Sequence, residues 1–146
     1  MSDPSPKIVI DTQVVMDWLV FGDARVAALA AAIEAGRIAW IGRTRMLDEL
    51  RHVLGRGVAA AWQPDLPRIE AMFARHCRMI DAVPAPAVRL VCRDPDDQQF
   101  IDLALAERAT WLLSRDRAVL ALRKRALAFN LKIATPEAWA TSLTAA

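Results

Sequence analysis

The chain is poor in the residues that build disulfide scaffolds and zinc sites, with two cysteines and two histidines among 146 residues. Cys77 and Cys92 have no CxxC or Cys/His spacing around them, which excludes a disulfide framework and leaves two reduced, partly buried thiols. His52 and His76 each stand beside an arginine with no second ligand four residues away, so a helical zinc pair is excluded too. No apolar run approaches the roughly 20 residues that a membrane span requires. The start, Met1-Ser2-Asp3-Pro4-Ser5-Pro6, lacks the basic and apolar stretches of a signal peptide, and cytoplasmic residence is the expectation. Common nucleotide-binding and hydrolase signatures are missing: there is no GxxxxGKS/T, GxGxxG, HExxH or GxSxG. An excess of one charge is missing as well. Lysine and arginine total 19 against 17 acidic residues, a net charge of +2, too small to argue nucleic-acid binding by itself.

What is present is a globular composition, 55% hydrophobic and 25% charged, in a length that fits one core. Residues 1–6 read as a flexible lead and 7–146 as a single domain, with no repeat or low-complexity tract. Lys7 to Asp11 is a continuous apolar run, the mark of a short buried parallel strand. Thr12 is placed to cap the following helix, whose apolar stripe is Val14, Val15, Trp18 and Leu19. Asp23 starts an alanine-rich helix over 24–35, and Gly36 is placed to end it. A strand over 37–41, a helix from Thr44 to about Leu54 and a helix over 66–80 follow, then Pro84 and Pro86 mark a loop. Asp94-Pro95 pairs an N-cap with a proline at the first helical position, and the helix to about Arg108 is apolar enough on most sides to be central. Strand Trp111–Ser114, helix Arg117–Phe129, strand Lys132–Ala134 and a helix from Pro136 complete the chain. This alternation predicts an α/β fold, a three-layer α/β/α sandwich around a short-stranded, mostly parallel sheet.

Functional groups in open parallel sheets collect beyond the carboxyl ends of the strands. Asp11 and Asp116 both follow predicted strands, Asp97 lies in the first turn of the helix that Asp94 opens, and Glu49 lies beside an apolar helical stripe. Each has an ordinary explanation: a turn aspartate, a carboxylate at a helix dipole, a cap, or a surface pair with Arg45 or Arg56. Drawn together, however, the four repel one another unless a hard cation such as Mg²⁺ or Mn²⁺ lies between them. Such a site activates water and stabilises charge on a phosphoryl group, so metal-dependent attack on a phosphate ester is the first hypothesis. Arg115, Arg117, Arg123, Lys124 and Arg125 surround Asp116, while Arg43, Arg45, Arg51 and Arg56 flank Glu49. A basic rim of that kind suits a polyanion, although the same arginines suit solvated helix faces equally well.

Val9-Ile10-Asp11-Thr12, Leu47-Asp48-Glu49-Leu50, Asp94-Pro95-Asp96-Asp97-Gln98-Gln99-Phe100 and Leu113-Ser114-Arg115-Asp116 follow one another in the order and spacing of PIN-domain ribonucleases. Lys132-Ile133-Ala134-Thr135-Pro136-Glu137 is similar to the closing segment of that family. The resemblance is strongest to the VapC-type toxins of toxin–antitoxin systems and spans nearly the whole chain. It implies a PIN-like sandwich and catalytic Asp11, Glu49, Asp97 and Asp116, with Asp11, Asp97 and Asp116 as ligands of Mg²⁺ or Mn²⁺. It further implies support from Thr12, Gln13 and Asp94, cleavage of RNA by activated water, homodimers, and inhibition by a cognate antitoxin. Gln13 departs from the asparagine usual after Asp-Thr, so an orienting hydrogen bond is either lost or rebuilt there.

Arg115 and Arg117 are the expected RNA phosphate contacts. Two other readings compete with the RNase: a PIN-like module that binds RNA or protein without cutting, and a metal-dependent phosphatase or DNA nuclease. For partner contacts, Trp18 with Val14 and Val15 suits either an exposed groove or core packing, and Trp62 suits a contact residue.

Overall fold

The computed structural model describes residues 5–82, 84–85 and 89–144. The first four residues of the expected lead, and Pro86 of the proline-marked loop, lie outside the described residues. Five strands form one sheet in the order β3-β2-β1-β4-β5, with every neighbouring pair parallel. These are β1 (Lys7–Ile10), β2 (Ala39–Gly42), β3 (Cys77–Met79), β4 (Trp111–Leu113) and β5 (Lys132–Ala134). The helices are α1 (Thr12–Leu19), α2 (Ala27–Glu34), α3 (Thr44–Gly55), α4 (Leu66–His76), α5 (Gln98–Ala106), α6 (Arg117–Leu120), α7 (Arg123–Ala126) and α8 (Pro136–Thr144). None of them is long and apolar enough to cross a membrane.

Helices cover both faces of the sheet because its strands are apolar on both. Successive side chains alternate across a strand, and they divide between two cores accordingly. Ile8, Ile10, Trp40 and Leu113 pack with Val14, Trp18, Leu29, Phe73 and Trp139 on one side. Val9, Ile41 and Leu112 pack with Phe100, Ile101, Leu103, Val119 and Ala126 on the other. Trp18, Val14 and Val15 are all buried, with Trp18 set edge-on to Trp40 at 5.2 Å, so they belong to the core. Trp62 is 59% exposed and rests against Phe21. Gly36 has φ +72°, a conformation open to glycine at little cost, and it directly follows the end of α2.

Three local expectations need correction. The helix expected over 66–80 ends at His76, and Cys77–Met79 pairs with Trp40–Gly42 as an edge strand. Arg78 and Met79 are exposed, so the segment carries no strand-like apolar signature, and its pairing is decided by the unpaired edge of β2. The helix expected over 117–129 breaks after Leu120. The Leu122 amide donates to Val119 O rather than continuing the α pattern, and a 3-10 turn over Leu127–Phe129 finishes the segment. Thr12 does not cap α1; Asp11 does, accepting from the Val14 amide.

Candidate metal centre

Beyond the carboxyl ends of β1 and β4 the sheet opens into a cavity of about 430 Å³. Asp11, Thr12, Gln13, Glu49, Asp97, Arg115 and Asp116 are among its lining residues. All four predicted acids therefore meet, although they come from four separate stretches of chain. β1 and β4 are neighbours in register, Ile10 opposite Leu113, so the residues that leave these strands emerge side by side. The turn Asp94–Asp97 reaches the same end because α5 packs across β1 and β4. α3 brings Glu49 in from the other flank.

The closest grouping is Asp94, Asp97 and Asp116, which present carboxylate oxygens all within 4.8 Å of one another. Asp94 does what its sequence position implied, accepting from the Asp96 amide, and yet it also joins this triad. Asp116 uses Oδ1 to accept from the Ala118 amide at the start of α6. Asp97 differs, because its Oδ2 is buried and has no hydrogen-bond partner. An ionised carboxylate oxygen shut away from water without a donor is costly. Burial, reinforced by the charges of Asp116, Asp94 and Asp11, accordingly pushes the Asp97 carboxyl from 3.8 up to about 7. Either a proton, for which Asp116 is the acceptor, or a cation relieves that oxygen. Three hard carboxylate donors, one of them carrying the orphaned oxygen, fit a divalent cation of the Mg²⁺ or Mn²⁺ kind.

Asp11 stands outside the triad and is better satisfied. Its Oδ1 accepts from the Val14 amide and its Oδ2 accepts from the Ser114 hydroxyl at 2.5 Å. Burial still pushes it up to about 6 against those two hydrogen bonds, with Asp116 and Asp17 adding to the rise. Glu49 accepts on Oε2 from Thr12 Oγ1 at 3.3 Å and from Gln99 Nε2 at 2.8 Å. Among the described residues no arginine pairs with Glu49, so the surface ion pair with Arg45 or Arg56 does not form.

The sequence profile of the PIN domain matches residues 7–118, more than half of the chain. The chain belongs to the PIN-domain family. PIN domains are generally metal-dependent nucleases, and the acidic triad gives this PIN domain the donors for a metal. No curated protein matches the sequence.

Several residues around the PIN-domain cavity escaped the sequence reading. Ser114 is fully buried; it donates to Asp11 and accepts from the Asp116 amide, joining the two strand ends. Gln99 orients Glu49. Asp17, 4% exposed, accepts from Gln13 Nε2 at 3.0 Å and from Arg115 Nε at 2.9 Å. A charge inside the apolar stripe Val14, Val15, Trp18 and Leu19 was the available signal for Asp17. Gln13 thus spends its amide within its own helix. Arg115 also binds Glu137 of α8, and its remaining Nη2 is buried without a partner. Arg115 lines the cavity with its side chain 20% exposed, whereas Arg117 is exposed.

Proposed function

We propose that this PIN domain is a Mg²⁺- or Mn²⁺-dependent endoribonuclease, the toxin component of a toxin–antitoxin system. The observation that carries the reading is the orphaned Asp97 Oδ2 beside the carboxylates of Asp94 and Asp116. Asp97 and Asp116, with Asp94 and Asp11 adjoining, would hold the ion. When bound, it lowers the pKa of a coordinated water and neutralises charge that develops on the phosphoryl oxygens.

The chain's own residues account for the rest. Glu49 has one oxygen tied to Thr12 and Gln99, which leaves Oε1 directed by two contacts and free to take a proton from the attacking water. Ser114 holds Asp11 and the Asp116 amide, so the two strand ends keep a fixed separation while charge shifts between them. Arg117 is the exposed cation next to Asp116 and takes an RNA phosphate.

The reading is tested by Mg²⁺-dependent cleavage of RNA, assayed beside DNA and a phosphomonoester. Asp97→Asn abolishes cleavage in a folded protein if the reading is right; equal rates in variant and wild type overturn it. Calorimetry with Mn²⁺ separates the nuclease from a PIN-like binding module, which needs no metal. The toxin role and the homodimer rest on resemblance to VapC-type proteins. Growth arrest on expression, relieved by the product of an adjacent small reading frame, checks the toxin role and the cognate antitoxin together.

A further inference from the structure

The geometry points to Arg115 as a positioning residue that acts on the metal-site loop through Asp17 and Glu137, and not as an RNA contact. This inference rests on the nuclease reading for its kinetic arm alone. Three consecutive side chains of the loop after β4 are each fixed to a different part of the molecule. Ser114 donates to Asp11 at the end of β1. Asp116 accepts from the Ala118 amide in α6. Between them, Arg115 spans α1 and α8, with Nε on Asp17 Oδ2 at 2.9 Å and Nη1 on Glu137 Oε1.

The two partners differ in kind. Asp17 is buried, and its second oxygen is taken by Gln13, so it is a fixed anchor. Glu137 lies beyond the stretch matched by the PIN profile, and through it the C-terminal helix is joined to the loop that carries Asp116. An arginine suits this task because its planar fork engages two carboxylates from different directions, which an ammonium group does not do with the same rigidity. The side chain is only 20% exposed, and two of its three nitrogens are already engaged by carboxylates, which leaves little of the guanidinium for a phosphate. Residues that orient metal ligands from behind commonly change metal affinity or activity by about 10- to 100-fold when lost.

The positive charge of Arg115 separates two roles. Arg115 is a cation beside a candidate cation site, so a purely electrostatic role predicts tighter Mn²⁺ binding when it is removed. A positioning role predicts the opposite. Mn²⁺ alone is titrated by calorimetry into the full chain as wild type, Asp17→Asn, Arg115→Lys, Arg115→Gln and the double variant Asp17→Asn/Arg115→Gln. Expected is a loss of Mn²⁺ affinity of about tenfold in each single variant. The double variant loses no more than either single one, because both act through one link. In RNA cleavage kcat falls in the same proportion and KM stays unchanged.

Mn²⁺ affinity that is unchanged or tighter in Arg115→Gln overturns the proposal. So does a rise in KM confined to the Arg115 variants, the mark of a phosphate contact. Should a single variant fail to fold by circular dichroism, the double variant, which leaves no lone buried charge, and Arg115→Lys decide the matter. If wild type binds Mn²⁺ but cuts no RNA, the nuclease reading falls and the Mn²⁺ comparison still decides for Arg115.

Discussion

Asp11 and Asp97 both open helical segments at one end of the same sheet, and both are pushed upward by burial, yet the chain treats them differently. Asp11 has a donor for each oxygen, the Val14 amide and the Ser114 hydroxyl. Asp97 has a buried oxygen with none. The first is a joint that ties α1 to β4 with one donor on each oxygen, which leaves it lone pairs for a cation as well. The second is incomplete without a proton or a cation. Proteins satisfy nearly all buried polar atoms, and among three clustered carboxylates a divalent cation is the partner that fits the Asp97 oxygen.

The comparison breaks most visibly in activity. Asp97→Asn is expected to lower RNA cleavage by on the order of 10²- to 10³-fold, from the several kcal/mol of charge stabilisation that a metal supplies. Its fold should remain intact, because no hydrogen bond of the ionised Asp97 side chain is lost. Asp11→Asn should lose activity and stability together, since an amide offers only one good acceptor where two donors now converge. Steady-state kinetics and urea unfolding on both variants check this. Equal stability losses in the two would erase the distinction.

Ser114→Ala sharpens the same contrast from the other side. It strips the donor from Asp11 Oδ2 and the acceptor from the Asp116 amide while leaving Asp97 untouched. Leaving a buried group unsatisfied costs about 1–3 kcal/mol, and a shift in the urea midpoint of that size at constant slope is the expected result. The Asp97 carboxyl should keep its high pKa, read by NMR titration of the metal-free protein.

Stability against pH carries the next effect in size. The folded pKa values of Asp11 and Asp97 lie above 3.8, at about 6 and about 7, so folding favours their protonated forms. Their contribution is most favourable below about pH 4. It declines as the pH rises through 6 and 7, and it is constant above that range. Asp97 is only half-buried, so solvent screening reduces its share to about 1 kcal/mol. Metal-free Asp97→Asn should therefore gain on wild type by about that amount between pH 4 and pH 8, and saturating Mn²⁺ should reverse the order. Chemical denaturation at both pH values measures the difference, in which the other carboxylates cancel. A gap independent of pH would show that Asp97 carries no such strain.

The acidic end was legible in the sequence because its physics is local in each piece. Asp11 and Asp116 follow continuous apolar runs, and Asp94-Pro95 announces a helix start, so each acid could be placed at a strand or helix terminus without knowing the rest. Which oxygens are saturated could not be read that way. That Asp94 joins Asp97 and Asp116 while Asp11 turns to Ser114 depends on how α5 crosses β1 and β4, a relation between distant segments. Cys77–Met79 was missed for a similar reason: three residues with two exposed side chains become a strand only because β2 offers them an open edge. The break at Leu122 is of the same kind, since Leu122 and Ala126 are buried together under β5 and their apolar spacing looks like one unbroken helix. The contacts of Arg115 with Asp17 and Glu137 are equally illegible in the sequence, because they join α1 and α8 to the loop after β4, and locally the residue is only a charge next to an acid.

The smallest effect separates the two arginines that flank Asp116. Arg117 is exposed and unpaired among the described residues, so its removal should leave Mn²⁺ affinity and urea stability unchanged. RNA binding, measured by fluorescence anisotropy in Ca²⁺ or with a non-cleavable strand, should weaken only a few-fold. A single phosphate contact to single-stranded nucleic acid contributes about 0.7 to the slope of log K against log salt, and Arg117→Ala should reduce the slope by about that much. Arg115→Gln should leave the slope where it was, because a guanidinium committed to Asp17 and Glu137 releases no counterion when RNA arrives. If instead Arg115→Gln flattens the salt dependence and Arg117→Ala does not, the roles assigned to the two side chains must be exchanged.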